Sequence, residues 1–282
     1  MILVDLNQVM ISNLMMQLGN HTNVEIEPNL IRHMVLNSLR SYRSKYKEKY
    51  GELVICCDNR HYWRKEIFPY YKAGRKKSRE KSEIDWHAVF DTLGVIRDEI
   101  AENFPYKVIN IQGAEADDII GALARKYHGY EKVLVLSGDK DFMQLQRYPN
   151  VDQYSPIMKR WLRHDDPMAY LREHIIKGDR GDGIPNFLSK DDVFVVGDRQ
   201  RPVSKKKLEA WIDADPEGFC DEDMLRNFKR NEQLIDLTKT PQKIVEDIFN
   251  TFENYEVPPR SGLLNYFVKH KMKIMMESIQ DF

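Results

Sequence analysis

The chain has 282 residues, enough for one large domain or two small ones with a real core. Its 43 Lys and Arg are matched by 44 Asp and Glu, which argues against a globally basic nucleic-acid binder and makes any positive surface local. Cys56, Cys57 and Cys220 form no Cys-x-x-Cys pair, and no apolar run approaches the roughly 18 residues that span a membrane, so a reducing, cytoplasmic setting is expected. The start, MILVDLNQVM, has no basic region ahead of its apolar run and does not read as a signal peptide.

In chain order, short apolar runs alternate with helical patterns. Runs at 2–4, 53–57, 106–111 and 133–136 suit strands buried on both faces of a parallel sheet. Amphipathic stretches at 30–46, 86–104 and 116–127 supply covering helices. VDQYS and KRWLRHD, around Pro156, read as a hairpin at the sheet edge. From Pro167 onward the pattern is helical, with helices expected at 168–177, 204–212, 221–237, 241–252 and 263–278. The expected fold is a mostly parallel α/β sheet in residues 1–165, followed by a smaller helical part, 166–282.

Ligands bind at the carboxyl ends of strands in such sheets. Three of the apolar runs lead into an aspartate there: Asp5, Asp58 and Asp139. The fourth leads into GAEADDIIGAL, which sets Glu115, Asp117 and Asp118 at a helix start. Asp141 follows Asp139 by two residues, in SGDKDFMQL, and KGDRGDGIPN adds Asp179 and Asp182. Singly, each fits a turn, a helix cap or a favourable helix-dipole position. Together they crowd like charges onto one edge, and a divalent cation relieves that repulsion. Mg²⁺ suits hard oxygen donors. Two ions about 3.5–4 Å apart would flank a scissile phosphate. No His–Cys cluster stands beside these acids in the sequence, which speaks against zinc.

EADD, GDKDFMQL and GDRGD, in that order after Asp5 and Asp58, resemble the flap endonuclease/5′-nuclease superfamily, and most closely its T-even bacteriophage members with RNase H activity. YWRKEIFPYYKAGRKKSREKSEIDW and VPPRSGLLNYFVKHKM carry the likeness to both ends of the chain. The resemblance implies a two-metal Mg²⁺ nuclease, with Mn²⁺ as a substitute. Asp5, Asp58, Glu115, Asp117 and Asp139 would surround the first ion, and Asp118, Asp141, Asp179 and Asp182 the second. It also implies a cytoplasmic location, that of an infected host if the chain is phage-encoded.

Between 60 and 85 lies a strongly basic, aromatic segment. Lys72, Arg75, Lys76 and Lys77 are among its cations, and Tyr62, Trp63, Phe68, Tyr70 and Tyr71 among its rings. Such a run is most often a solvated face. Charge interleaved with aromatics also suits single-stranded nucleic acid. In the resembled family the segment arches over the active site. Its Tyr-Lys-x-x-Arg motif implies that Lys72 and Arg75 contact the scissile phosphate and that Tyr71 stacks near the displaced nucleotide. Gly74 is a flexible point, so order that depends on DNA is expected.

Two features depart from the family. VVGDRQRPVSKKKLEAW keeps Gly197 but has no Gly-x-Gly hairpin, so the family's potassium site does not carry over. Duplex contact is expected instead at Ser204, Lys205, Lys206 and Lys207, at a helix start. Met1 sits directly before the first strand, so a sliding-clamp partner is not supported. The C-terminal likeness points to a single-stranded-DNA-binding protein as partner. The reading is a monomeric structure-specific 5′-nuclease that cuts DNA or RNA/DNA bearing a 5′ single strand or flap and removes RNA primers during replication. The alternatives are a PIN-type ribonuclease, which has no reason to carry the basic segment, and a non-catalytic junction binder.

Overall fold

The computed structural model describes residues 1–18 and 27–282, with the side chains of 17, 18 and 76–78 outside the described set. Ile2–Asp5 (β1), Leu53–Cys57 (β2), Lys107–Asn110 (β3), Val133–Leu136 (β4) and Val151–Ser155 (β5) pair in parallel, and Arg160–Leu162 (β6) folds back antiparallel on β5. The order is β3-β2-β1-β4-β5-β6, which realises the expected mostly parallel sheet with an edge hairpin. The chain builds outward from β1 on one side, then crosses back through β4. The crevice between the carboxyl ends of β1 and β4 is therefore the topological switch point.

Side-chain alternation divides the strands between two cores. Ile2, Val4, Leu53, Ile55, Leu134 and Leu136 face one core. It is closed by the helices Leu6–Leu18 (α1), Pro28–Tyr50 (α2) and, after the short helices Arg64–Ile67 (α3) and Ala73–Glu80 (α4), by Trp86–Asn103 (α5). Leu3, Val54, Cys56, Val133 and Val135 face the other core, under Ala116–Tyr127 (α6). That both faces are covered explains why the strands read as unbroken apolar runs.

The helical part comprises Pro167–Lys177 (α7), Val193–Val196 (α8), Lys205–Trp211 (α9), Glu222–Ile235 (α10), Gln242–Glu253 (α11), Leu263–Lys269 (α12) and Lys273–Glu277 (α13). A third core joins Leu171, Ile175 and Ile176 of α7 to Ile184, Phe187, Phe228 and Leu234, and it takes in Phe68 and Tyr71 from the basic segment. Beyond residue 236 the chain returns to the sheet. Val245 and Ile248 enter the α6 core, while Phe267, Met275 and Phe282 enter the α2/α5 core.

Three local expectations differ from the structure. Helix α1, for which the sequence reading names no element, starts directly from the last strand residue, Asp5, whose carboxylate caps it through the Gln8 N–H (3.0 Å). After β4 a 3₁₀ helix, Lys140–Arg147, takes in the end of SGDKDFMQL, a stretch outside the helices expected from the sequence pattern. The helix expected at 263–278 breaks into α12 and α13, with Lys271 in the left-handed region (φ 56°). Among the described residues no helix is long and apolar enough to cross a membrane.

Candidate active site

Asp5 ends β1 and is 8% exposed. It accepts from the backbone N–H of Gln8 (3.0 Å) and from Ser137 Oγ (3.3 Å). Burial, then the charges of Asp58 and Asp139, push its pKa up to about 7. Asp58 follows β2 and accepts from Asn7 Nδ2 (2.6 Å) and from the N–H of Ala116 at the start of α6 (2.8 Å). Asp139 follows β4 and caps the 3₁₀ helix, with Oδ1 accepting from the Asp141 N–H (3.0 Å). That contact occupies one of its oxygens. Asp117 is held well above the ordinary carboxylate range, first by burial and then by Asp139.

Glu115 and Asp118 form a reciprocal capping box on α6. Asp118 is fully buried and accepts from Arg64 Nη1 (2.9 Å), Trp63 Nε1 (3.2 Å), Thr240 Oγ1 (2.8 Å) and the Glu115 N–H (2.9 Å). Burial alone would raise its pKa, but Arg64 and these hydrogen bonds lower it. Arg64, 2% exposed, also reaches Glu115 Oε2 (3.0 Å) and donates to the Leu234 carbonyl (2.8 Å).

The basic segment closes onto the same carboxylates. Lys72 Nζ lies 2.5 Å from Glu115 Oε1 and 3.5 Å from Asp182 Oδ2, and Arg75 Nη2 lies 2.5 Å from Asp182 Oδ1. Tyr71 Oη is within hydrogen-bond distance of both Glu115 (3.0 Å) and Asp182 (2.9 Å). Burial disfavours the Lys72 ammonium, yet Asp182 and Glu115 outweigh it and raise its pKa. The Lys72 N–H donates to the Asp182 carbonyl (2.7 Å). Gly183 makes this approach feasible: at φ +73°, a Cβ there would stand 2.9 Å from the Tyr70 carbonyl oxygen.

A second acidic group sits between the 3₁₀ helix and α7. Asp179 accepts from Lys140 Nζ (2.9 Å), from His174 Nε2 (3.1 Å) and from the backbone N–H groups of Gly181 (2.7 Å) and Asp182 (3.2 Å). Burial opposes its charge, but His174 and Lys140 hold its pKa well below the usual range. Asp141 lies 3.5 Å from His174 Nδ1. Burial and then Asp139 push Asp141 up to about 7, and its Oδ1 is buried with no hydrogen-bond partner.

Residues 1–174 match the family described as 5′-3′ exonuclease, N-terminal resolvase-like domain, and residues 167–282 match T4 RNase H, C terminal. The chain belongs to the 5′-3′ exonuclease family. It is 32% identical over 292 residues to ribonuclease H of Enterobacteria phage T4, covering 99% of this chain and 95% of that one. It is 31% identical over 175 residues to the flap endonuclease Xni of Shewanella sediminis, covering 52% of this chain and 64% of that one. The fold is similar to the bacteriophage T5 flap endonuclease solved with DNA and metal ions (TM-score 0.62, 17% identity, 90% of this chain and 99% of that one). It is likewise similar to the T5 5′-exonuclease with bound zinc (TM-score 0.61, 17% identity, 91% and 99%). The chain is accordingly a phosphodiester hydrolase of the 5′-nuclease type.

In this member of the family, Asp5, Asp58, Glu115, Asp117 and Asp139 line the rim around the switch point, and Asp141, Asp179 and Asp182 adjoin it. Asp118 is placed differently from the expectation. Its oxygens are taken up by Arg64, Trp63, Thr240 and its own helix start, so it braces the scaffold. Tyr71 is 2% exposed, with its ring edge-on to Tyr62, so it presents no open face for a base to stack on. Ser204 caps α9, and the exposed Lys205, Lys206 and Lys207 form its first turn. The side chains of Lys76 and Lys77 lie outside the described residues. Two participants were not anticipated. Arg64 ties the basic segment to the α6 cap, and its only sequence signal is its place in YWRKEIF. His174 stands five residues before Asp179, inside a helix.

Proposed function

We propose that this nuclease is a Mg²⁺-dependent, structure-specific 5′-nuclease. It hydrolyses DNA or RNA/DNA near a junction with a 5′ single strand and removes RNA primers in replication. One observation carries the reading. The carboxylates that end β1, β2 and β4 meet Glu115 and Asp182, and the cations of a basic segment reach those same two acids.

The residues fit divalent cations. Asp5 and Asp141 are pushed to about 7 by burial and like charge, and Asp141 Oδ1 is buried without a partner. These are the marks of acids whose charge wants a cation. In this reading Asp5, Asp58, Glu115, Asp117 and Asp139 hold one ion, and Asp141, Asp179 and Asp182 surround a second, Asp179 from behind its own hydrogen bonds, with Asp118 set aside. Bound metal would supply activated water and charge neutralisation at the phosphate. The chain's own residues do the rest. Lys72 and Arg75 turn from Glu115 and Asp182 to the scissile phosphate and stabilise its developing charge. Lys205, Lys206 and Lys207 hold the duplex backbone without reading sequence. The α/β part, residues 1–165, carries the chemistry, and 166–282 adds Asp179, Asp182 and the duplex grip.

The test is a 5′-labelled flap duplex beside nicked and blunt duplexes, each with Mg²⁺ or with EDTA. Mg²⁺-dependent cuts mapping to the junction are expected. Cleavage undiminished in EDTA, or cuts without regard to the junction, would refute the reading.

A further inference from the structure

We propose that His174 is itself a metal ligand. With Asp141 it forms a mixed nitrogen–oxygen site that takes Mn²⁺, Co²⁺ or Zn²⁺ in preference to Mg²⁺, while Asp179 orients the ring. This rests on the metal-dependent reading above and deepens it. It makes one of the two metal positions chemically unlike the other.

Among the described residues, Asp141, His174 and Asp179 are the one set of three His, Cys, Asp or Glu side chains whose donor atoms all lie within 4.8 Å of one another. His174 is 7% exposed, on α7. Its Nε2 lies 3.1 Å from Asp179 Oδ2. That contact assigns the proton to Nε2, because the carboxylate only accepts. In the neutral ring, the form that binds metal, Nδ1 then carries a lone pair, and it faces Asp141 Oδ1 at 3.5 Å. This is too long for a good hydrogen bond. Oδ1 is buried and has no other partner. These two atoms either share a proton across the gap or hold a cation in it, and with Asp179 alongside they are a donor set that a divalent metal can occupy in place of that proton.

The spacing suits one. Two ligands each about 2.1 Å from a single ion stand roughly 3.0–3.5 Å apart. The order Asp179–His174–ion is the carboxylate–histidine–metal arrangement, in which the second ring nitrogen donates to a carboxylate that fixes tautomer and orientation. Mg²⁺ prefers oxygen donors and keeps its water. Imidazole nitrogen favours the later divalent metals. The rim acids Asp5, Asp58, Glu115, Asp117 and Asp139 offer oxygen alone.

The experiment uses the full chain with Mn²⁺ as probe and no DNA. Calorimetric titration gives Mn²⁺ and Mg²⁺ affinities, and electron spin-echo modulation detects nitrogen bound directly to Mn²⁺. In the parent an imidazole nitrogen signal is expected. In His174→Gln and His174→Asn the signal should vanish and Mn²⁺ affinity at one site should fall about tenfold or more, with Mg²⁺ affinity unchanged. Circular dichroism and melting in EDTA establish that the variants fold. If they do not, the parent signal still decides. Bound Mn²⁺ without nitrogen coupling in the parent, or coupling that persists in a folded variant, overturns the assignment of His174 and leaves the metal-dependent reading standing. No Mn²⁺ or Mg²⁺ binding by the parent overturns both.

Discussion

The ammonium of Lys72 lies 2.5 Å from Oε1 of Glu115, with the two side chains 9% and 3% exposed. The basic segment is thus fastened to acids that the proposed mechanism gives to metal. Lys72 and a divalent cation compete for Glu115, and such a coupling is reciprocal: whatever draws Lys72 away raises metal affinity. Lys72→Ala should tighten divalent-metal binding in the absence of DNA. It should also slow single-turnover cleavage on the order of 10²-fold, by analogy with removing one oxyanion donor. Calorimetry and single-turnover kinetics at saturating enzyme check both arms. Unchanged metal affinity would mean that Lys72 only rests there.

Arg64 joins Glu115, Asp118 and the Leu234 carbonyl in a site where it is 2% exposed. Removing it leaves fully buried Asp118 without a cation, while Glu115 keeps Lys72. Arg64→Met is expected to cost about 3–5 kcal/mol of stability, read by urea denaturation in EDTA. Asp118→Asn should cost clearly less, since it keeps the shape and leaves the arginine with Glu115. Equal destabilisation would argue that Glu115 cannot hold Arg64 by itself and that the charge of Asp118 is indispensable.

In EDTA the acids themselves set a pH dependence. Folded Asp5 and Asp141 hold their protons up to about pH 7, whereas the unfolded chain releases them near about pH 4. Between those values the folded state binds more protons, so stability falls as pH rises. His174, whose pKa burial opposes but Asp179 and Asp141 raise, acts in the same direction. Asp179, held low, contributes stability that is lost only below about pH 4. Denaturation midpoints at pH 5 and pH 8 should differ in the parent and differ less in Asp141→Asn. Mg²⁺ should recover more stability at pH 8 than at pH 5. A parent equally stable at both values would contradict the repulsion among these acids.

Lys205, Lys206 and Lys207 are exposed, and Lys205 and Glu209 pair only loosely at 3.8 Å. If they bind phosphate, their joint change to Ala should weaken duplex binding for all sequences alike. It should flatten log K against log salt by about 0.9 for each phosphate no longer neutralised. A salt slope equal to the parent's would make them ordinary surface charge.

Gly183→Ala tests the approach of the basic segment to the GDRGD turn. The new Cβ would meet the Tyr70 carbonyl oxygen at 2.9 Å in a backbone at φ +73°, a strain of about 1–3 kcal/mol. The segment should be pushed from Asp182, so cleavage slows while far-ultraviolet circular dichroism is kept. Parent-like kinetics would show that this approach does not matter to the reaction.

The strands were legible because burial on both faces leaves unbroken apolar runs, and the strand-end aspartates marked the edge where the acids gather. The Glu115–Asp118 spacing was legible as a helix start. Which of Asp117 and Asp118 turned inward was not, because that depends on Arg64 and Thr240, distant in sequence. His174 gave no signal: a lone histidine in a helix has no local mark, and its partners come from a turn and a 3₁₀ helix. Phe68 and Tyr71 looked like nucleic-acid platforms because composition cannot tell a ring stacked on a base from one sunk in a core. Helix α1 went unseen because its cap, Asp5, is also the last residue of the strand, so no loop separates the two elements.

Phe282 is fully buried and packs its ring against Phe104 and Phe267 at 5.6 and 5.2 Å, in the same core as Ile2, Leu53 and Leu134. A ribosome makes the chain in order, at about 5–20 residues per second. The first strand therefore leaves the exit tunnel long before its last packing partner exists, and although α1, α2 and α5 cover most of that face early, the corner around Phe104 stays open until late in synthesis. Growing chains should lean on chaperones over that interval. Residue 282 has to emerge before that corner of the core is complete, so the packing behind β1 is finished late.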